Sequence, residues 1–231
     1  YGQIGAGAGP TTVPVFGIGR IPVDTLGQAT TVVNKVIAFE TNPPPDQPQV
    51  HDFYSRFTFA AFFEASFETP TLDTRWFVET TEKIRTHVVN QGFSVQRVYN
   101  ARLFANPQTY RSGASVPLAL RKPGFTWDGS RAQITNAINQ GSALIYHRDH
   151  GGWTGWGDPA FRTEHLDEVS VSNNRFPVIF SINCASGVFD NETVDLSANS
   201  LGVPYGTSPG TAYWAEAFLR KSDGALAIIG D

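Results

Sequence analysis

The chain has 231 residues, of which 41% are hydrophobic and 16% charged, with a formal net charge of −4. Such a length and apolar share suit one large domain, or a domain plus part of another, with a substantial core. The small negative charge, without a Lys/Arg-rich block, argues against nucleic-acid binding, and no apolar run approaches the roughly 18–20 residues of a membrane span. A single cysteine, Cys184, excludes an internal disulfide framework.

The chain opens with "YGQIGAGAG", neither an initiator Met nor a signal peptide, and holds no Met at all. Both ends are therefore read as truncated. "GAGAGP" (5–10) lacks the strand–turn–helix setting of a phosphate loop and reads as a plain loop. "VPVFGIGRIPV" (13–23) is a short apolar segment cut by Gly and Pro. "TLGQATTVVNKVIAFE" (25–40) carries Ala29, Val32, Val33, Val36 and Ile37 at helical spacing. "TNPPPDQPQ" (41–49) is a Pro-rich connector. The connector divides the chain into residues 1–49 and residues 50–231.

In that second part, "YSRFTFAAFF" (54–63) has the β-branched and aromatic content of a strand. Residues 74–93 form a helix by period, with Phe77, Ile84 and Val88 inward and Gly92 as its stop. "SVQRVY" (94–99) is a strand. Residues 100–129 have no clear period and read as a long loop or insertion. A helix capped by Ser130 and ended by Gly141 follows, then the buried strand "SALIYH" (142–147). "PVIFSIN" (177–183) is another strand, "AYWAEAFLR" (212–220) a helix, and "GALAIIG" (224–230) a final buried strand. Strands alternating with helices imply an α/β fold with a mainly parallel sheet.

Ligands of open α/β sheets bind beyond the carboxyl ends of the strands. His150 follows the strand 142–147, and Cys184 follows the strand 177–183, 34 residues later. If those strands are neighbours, imidazole and thiol converge on one edge. A thiolate beside an imidazole is a competent nucleophile. The amides of Gly151 and Cys184 would then suit a developing oxyanion. A buried cysteine beside a surface histidine is the competing reading.

The blocks "YHRDHGGWTGWGDPAF", "PVIFSINCASGVFD" and "WAEAFLRKSDGALAIIG", in that order, resemble the gingipain-type cysteine peptidases. The opening segment to Glu40 and "DTRWFVETTEKIRTHVVNQGFSVQRVY" are also similar to that family. The resemblance covers most of the chain except an insertion around 102–126. It implies a caspase-like, three-layer αβα sandwich with a mainly parallel central sheet. It implies that residues 1–49 are the end of a preceding subdomain with its connector and residues 50–231 the catalytic one. It also implies a bacterial, secreted or cell-surface endopeptidase acting on protein or peptide substrates. Cys184 would be the nucleophile, His150 the proton-transfer partner, and Gly151 and Cys184 the oxyanion donors. A carboxylate after an earlier strand would orient the histidine, with Glu64 the first candidate and Glu68 the second. Trp153 and Trp156 would wall the substrate cleft. The acidic residue that makes some gingipains arginine-specific falls near Phe77, with Asp73 and Glu79 nearby, so basic specificity is not implied. No cofactor is required; Asp190, Glu192 and Asp195 read as a solvated loop, with a structural calcium site as the alternative.

Three other readings stay open. His147, Asp149 and His150 match part of a zinc-hydrolase ligand pattern, although its first position is Ile145. "GTSPG" (206–210) fits a serine-nucleophile pattern, but Pro209 lacks the backbone N–H that an oxyanion hole needs. An inactive binding or structural module with a retained site is the third.

Overall fold

The structure is a computed structural model that describes residues 19–45, 53–189 and 212–230. The "GAGAGP" and "GTSPG" loops and the acidic group Asp190, Glu192 and Asp195 lie outside the described residues.

Helix α1 (Leu26–Thr41) opens at a capping box in which Thr25 and Gln28 satisfy each other's amides. Strand β1 (Arg56–Phe63) is followed by α2 (Phe77–Asn90) and β2 (Ser94–Ala101). Helix α2 ends where Gly92 turns left-handed at φ +93°. Helix α3 (Arg131–Asn139) opens at a second capping box, Ser130 with Gln133, and leads to β3 (Leu144–Arg148). A small hairpin, β4 (Gly151–Gly152) and β5 (Gly155–Trp156), comes next. Strand β6 (Val178–Ile182), α4 (Trp214–Arg220) and β7 (Ala227–Gly230) complete the described chain.

Among the described residues the central sheet has five parallel strands in the order β2-β1-β3-β6-β7. Side chains alternate across it. Phe59, Ala61, Phe63 and Tyr146 face α2 and the 102–129 excursion, together with Val78, Tyr99 and Trp127. Ala60, Ile145 and Ile179 face the other way, onto Ile134 and Ile138 of α3 and Trp214 and Phe218 of α4. The result is the expected three-layer α/β sandwich.

Two expectations are corrected. On α1, Val32 and Lys35 are buried while Val33 and Ile37 are exposed. The helix lies on α4, and the Lys35 amine donates to the carbonyls of Leu219, in the last turn of α4, and Lys221, at its cap, so the inward face is rotated from the most apolar one. Beyond the end of β2 at Ala101, the 100–129 segment is the long loop that was expected, and it also contributes to the core: Val116, Leu120 and Trp127 are buried, and the Trp127 indole donates to the Leu120 carbonyl at 2.6 Å. Among the described residues the final strand stands at the edge of the sheet, with Ile229 49% exposed, where a buried strand was expected.

From β1 the chain crosses over α2 to β2 on one side, while β3, β6 and β7 build outward on the other. The sequence order therefore reverses between β1 and β3. A crevice opens at the carboxyl end of such a switch point.

Candidate active site

Glu64 follows the last residue of β1, His150 lies two residues past β3, and Cys184 two residues past β6. The strands are neighbours in the order β1-β3-β6. Partners across β3 and β6 differ by 34 positions along the whole ladder, from Leu144↔Val178 to Arg148↔Ile182. His150 and Cys184 differ by the same 34. They leave adjacent strands at the same level, and neighbouring strands lie about 4.8 Å apart.

The imidazole is held from the other side. His150 Nε2 lies 2.7 Å from Glu64 Oε2, and the Phe77 ring meets the imidazole edge-on at 5.3 Å. Glu64 is itself clamped. Its amide donates to Asp73 Oδ1 at 3.3 Å, and its carbonyl accepts from the Thr74 amide at 2.7 Å. Its other carboxylate oxygen lies 3.1 Å from the Thr74 hydroxyl and 3.3 Å from Arg75 Nε. Burial alone would push the Glu64 carboxyl up, but hydrogen bonds from His150 and Thr74 and the charge of Arg75 outweigh it, and its pKa is lowered. An ionised Glu64 can only accept, so Nε2 carries the proton of that bond, and in the neutral ring Nδ1 is the nitrogen with the lone pair.

Cys184 is exposed. The next residue, Ala185, adopts φ +54°, a left-handed conformation that costs a side-chain-bearing residue about 1–2 kcal/mol. The turn lifts the thiol clear of the sheet edge. Ser186 then re-enters the interior, with its hydroxyl 2.6 Å from that of Ser181.

A buried polar chain lies beneath the turn. The Trp156 indole and the Asn183 amide both donate to Ser181 Oγ, at 2.7 and 2.9 Å. Asn183 Nδ2 also donates to His147 Nδ1 at 2.8 Å, and His147 Nε2 donates to the Asp158 carbonyl at 3.3 Å. The Asp158 amide donates to Asp149 Oδ2 at 2.6 Å. Burial holds His147 neutral, its pKa lowered to about 3, and its ring stacks on Trp156 at 4.2 Å. The same cause, burial, raises Asp149 to about 6. A Cβ on Gly151 would overlap the Asn183 side-chain carbonyl. Only glycine lets the chain after His150 lie against the residue before Cys184.

The sequence-stated candidates thus separate. Glu64, His150, Gly151 and Cys184 come to one edge. Glu68, the second carboxylate, is fully exposed and hydrogen-bonds Ser66. Trp156 is corrected: at 1% exposure it is a core residue and walls no cleft. Trp153 is half-buried, beside Tyr213 with ring centres 6.2 Å apart. Both ring nitrogens of His147 are taken by protein partners, which leaves it no lone pair for a metal. Among the described residues no three His, Cys, Asp or Glu side chains gather to hold a metal ion. Asp73 is buried, and Glu79 is paired with Lys83 at 2.9 Å. The Asp73–Thr74–Arg75 clamp and Asn183 were not legible beforehand. Residues 74–76 read as the first turn of α2, whereas the helix starts at Phe77.

The family model for peptidase family C25 matches residues 1–231. Gingipain R2 and gingipain R1 of Porphyromonas gingivalis are each 38% identical over 56 residues, 24% of this chain and 8% and 6% of theirs. The crystal structure of the Arg-specific cysteine proteinase gingipain R superposes with a TM-score of 0.56 at 17% identity, over 89% of this chain and 37% of that one. The complex of the Porphyromonas gingivalis RgpB pro- and mature domains gives 0.55 at 18%, over 90% and 38%. The chain spans well under half the length of these relatives.

Proposed function

Because the chain belongs to peptidase family C25, we propose that it is the catalytic part of a cysteine endopeptidase acting on protein or peptide substrates. The observation that carries the proposal is the 2.7 Å Glu64–His150 contact, set on the sheet edge that Cys184 shares in register.

In this mechanism His150 Nδ1 takes the proton of Cys184, and the thiolate attacks the scissile carbonyl carbon, forming an S–C bond. The amides of Gly151 and Cys184 stabilise the oxyanion, each such donor contributing on the order of 10²–10³ in rate. Protonated His150 delivers its proton to the leaving amine as the C–N bond breaks. Water, deprotonated by the same nitrogen, then hydrolyses the thioester. Glu64 fixes the tautomer and stabilises the imidazolium during both steps. The chemistry needs no cofactor. Residues 50–231 form the catalytic subdomain in this reading, with 1–49 the end of the one before, and the protein is a bacterial one, secreted or held at the cell surface, as the gingipain resemblance implies. The described helices include none long and apolar enough to cross a membrane.

The test is labelling with iodoacetamide and a peptidyl acyloxymethyl ketone, together with peptide hydrolysis. Wild type should label at Cys184 and cut. Cys184→Ala should do neither, and Glu64→Gln should lower kcat about 10–100-fold with the label retained. A ketone that labels wild type and Cys184→Ala alike would sink the proposal and leave the inactive module.

A further inference from the structure

We propose that Phe67, Leu103 and Phe104 form a preorganised specificity platform for an apolar side chain three to four residues beyond the scissile bond, on the leaving-group side. The proposal rests on the cysteine-peptidase reading of the site.

Phe67 is 76% exposed and Leu103 fully exposed. The Phe67 ring stacks on Phe104 at 4.0 Å between centres, tilted by 24°. Two large apolar side chains this exposed, at the ends of adjacent strands, are unusual without something to cover them. Their position says what that is. Phe63 pairs with Ala101 at the last rung of β1 and β2. The segments 64–67 and 102–104 therefore leave the sheet at the carboxyl edge that carries Glu64, His150 and Cys184. Platform and candidate active site thus share one sheet edge.

The direction follows from the chemistry. His150 protonates the leaving amine, and it lies on the β1 side of Cys184. The departing half of the substrate must then run from β6 over β3 towards β1 and β2. At about 4.8 Å per strand the path to β1 is about 10 Å and to β2 about 14 Å, and an extended peptide advances about 3.3 Å per residue. The third and fourth residues after the cut bond arrive above Phe67 and Phe104.

The platform is held ready by its own backbone. The Asn106 amide donates to the Pro70 carbonyl at 2.8 Å, tying the two loops together. The Thr69 amide donates to Ser66 Oγ at 3.1 Å, and Lys122 Nζ to the Ala105 carbonyl at 2.7 Å. Little ordering is left for the substrate to supply.

The experiment uses the protein at its natural length and a proteome-derived peptide library, with cut sites read by mass spectrometry. Leu or Phe should be enriched at the third or fourth position after the cut. In matched peptides that change from Ser to Leu there should raise kcat/KM about 5–30-fold, through KM more than kcat. Phe67→Ser with Leu103→Ser, both exposed and safe for folding, should reduce the preference to under about 2-fold. Hydrolysis of peptides ending two residues after the cut should stay unchanged. Peptides cut with no such preference, or a preference that survives the double substitution, overturn the platform and leave the peptidase reading standing. So does a preference found on the amino-terminal side only. If no peptide is cut and Cys184 does not label, the peptidase reading itself fails and the platform falls with it.

Discussion

Replacing Asp73 by Asn should make the protein progressively more stable, relative to wild type, as pH rises from 4 to 8. Asp73 is 1% exposed. Its Oδ1 holds the amides of Glu64 and Arg75, and its Oδ2 has no hydrogen-bond partner. Burial, aided by the charges of Glu64 and Glu79 and opposed by the two amides, pushes its carboxyl from the ordinary 3.8 up to about 7. Below pH 4 the group is protonated in both folded and unfolded chains and contributes no pH dependence. Between pH 4 and 7 the unfolded chain releases its proton while the folded chain keeps it, so wild-type stability falls as pH rises. Above 7 both are ionised and the penalty is constant. Three pH units at about 1.4 kcal/mol each give about 4 kcal/mol. For a protein of this size that is about 10 °C in Tm. Asparagine keeps the Oδ1 acceptor and cannot ionise, so the difference in Tm between variant and wild type should grow by about 10 °C from pH 4 to pH 8. Thermal melts followed by circular dichroism across that range measure it. An offset that stays the same at every pH would refute the buried, protonated carboxyl and the clamp built on it.

Two further outcomes are expected. Gly151→Ala should cost about 100-fold in kcat/KM by driving the His150 turn off Asn183, with iodoacetamide labelling of Cys184 preserved; activity within a few-fold of wild type would mean the close approach is not needed. Trp156→Phe removes the indole donor to Ser181 and should lower stability by about 1–3 kcal/mol, measured by urea unfolding, with the cleavage-site profile unchanged. A changed profile at unchanged stability would return Trp156 to the cleft.

The parts of the fold set by period and by end signals were readable. β1, β3 and β6 stand where apolar runs meet turn residues, and two of the helices start at Ser/Thr-x-x-Gln boxes. His150 and Cys184 were singled out because they sit two residues past such runs, and Glu64 because the gingipain resemblance implies a carboxylate after an earlier strand. Pairing was less so, since nothing in the runs says that β3 lies between β1 and β6. Helix α1 was misread because two overlapping faces fit the same spacing, and the choice was made by Lys35 reaching α4 across 184 residues. The 100–129 segment was read as a long loop or insertion, which it is beyond Ala101; that it also feeds the core was not legible, because Val116, Leu120 and Trp127 have no common period. Trp156 was placed by proximity to His150, whereas the β4–β5 hairpin turns it inward onto His147. Asp73 and Asn183 carry no pattern of their own; each matters only through a backbone or a glycine that folding brings beside it.

The shared offset of 34 between the β3–β6 ladder and the reactive pair also bears on how such a chain can change. The spacing of thiol and imidazole is set by which rung faces which, not by the length of the segment joining them. Residues inserted at exposed positions between Arg162 and Phe176 would leave the two side chains where they are, provided the rungs hold and the buried Leu166, Val169 and Val171 stay in place. A slip of one residue in β6 would do what no loop change does: it would carry Cys184 about 3.3 Å along the strand and turn it to the opposite face. The exposed positions of the connecting segment are free to diversify, while its buried ones, Phe161 and Leu166 among them, must hold and β3 and β6 must keep step.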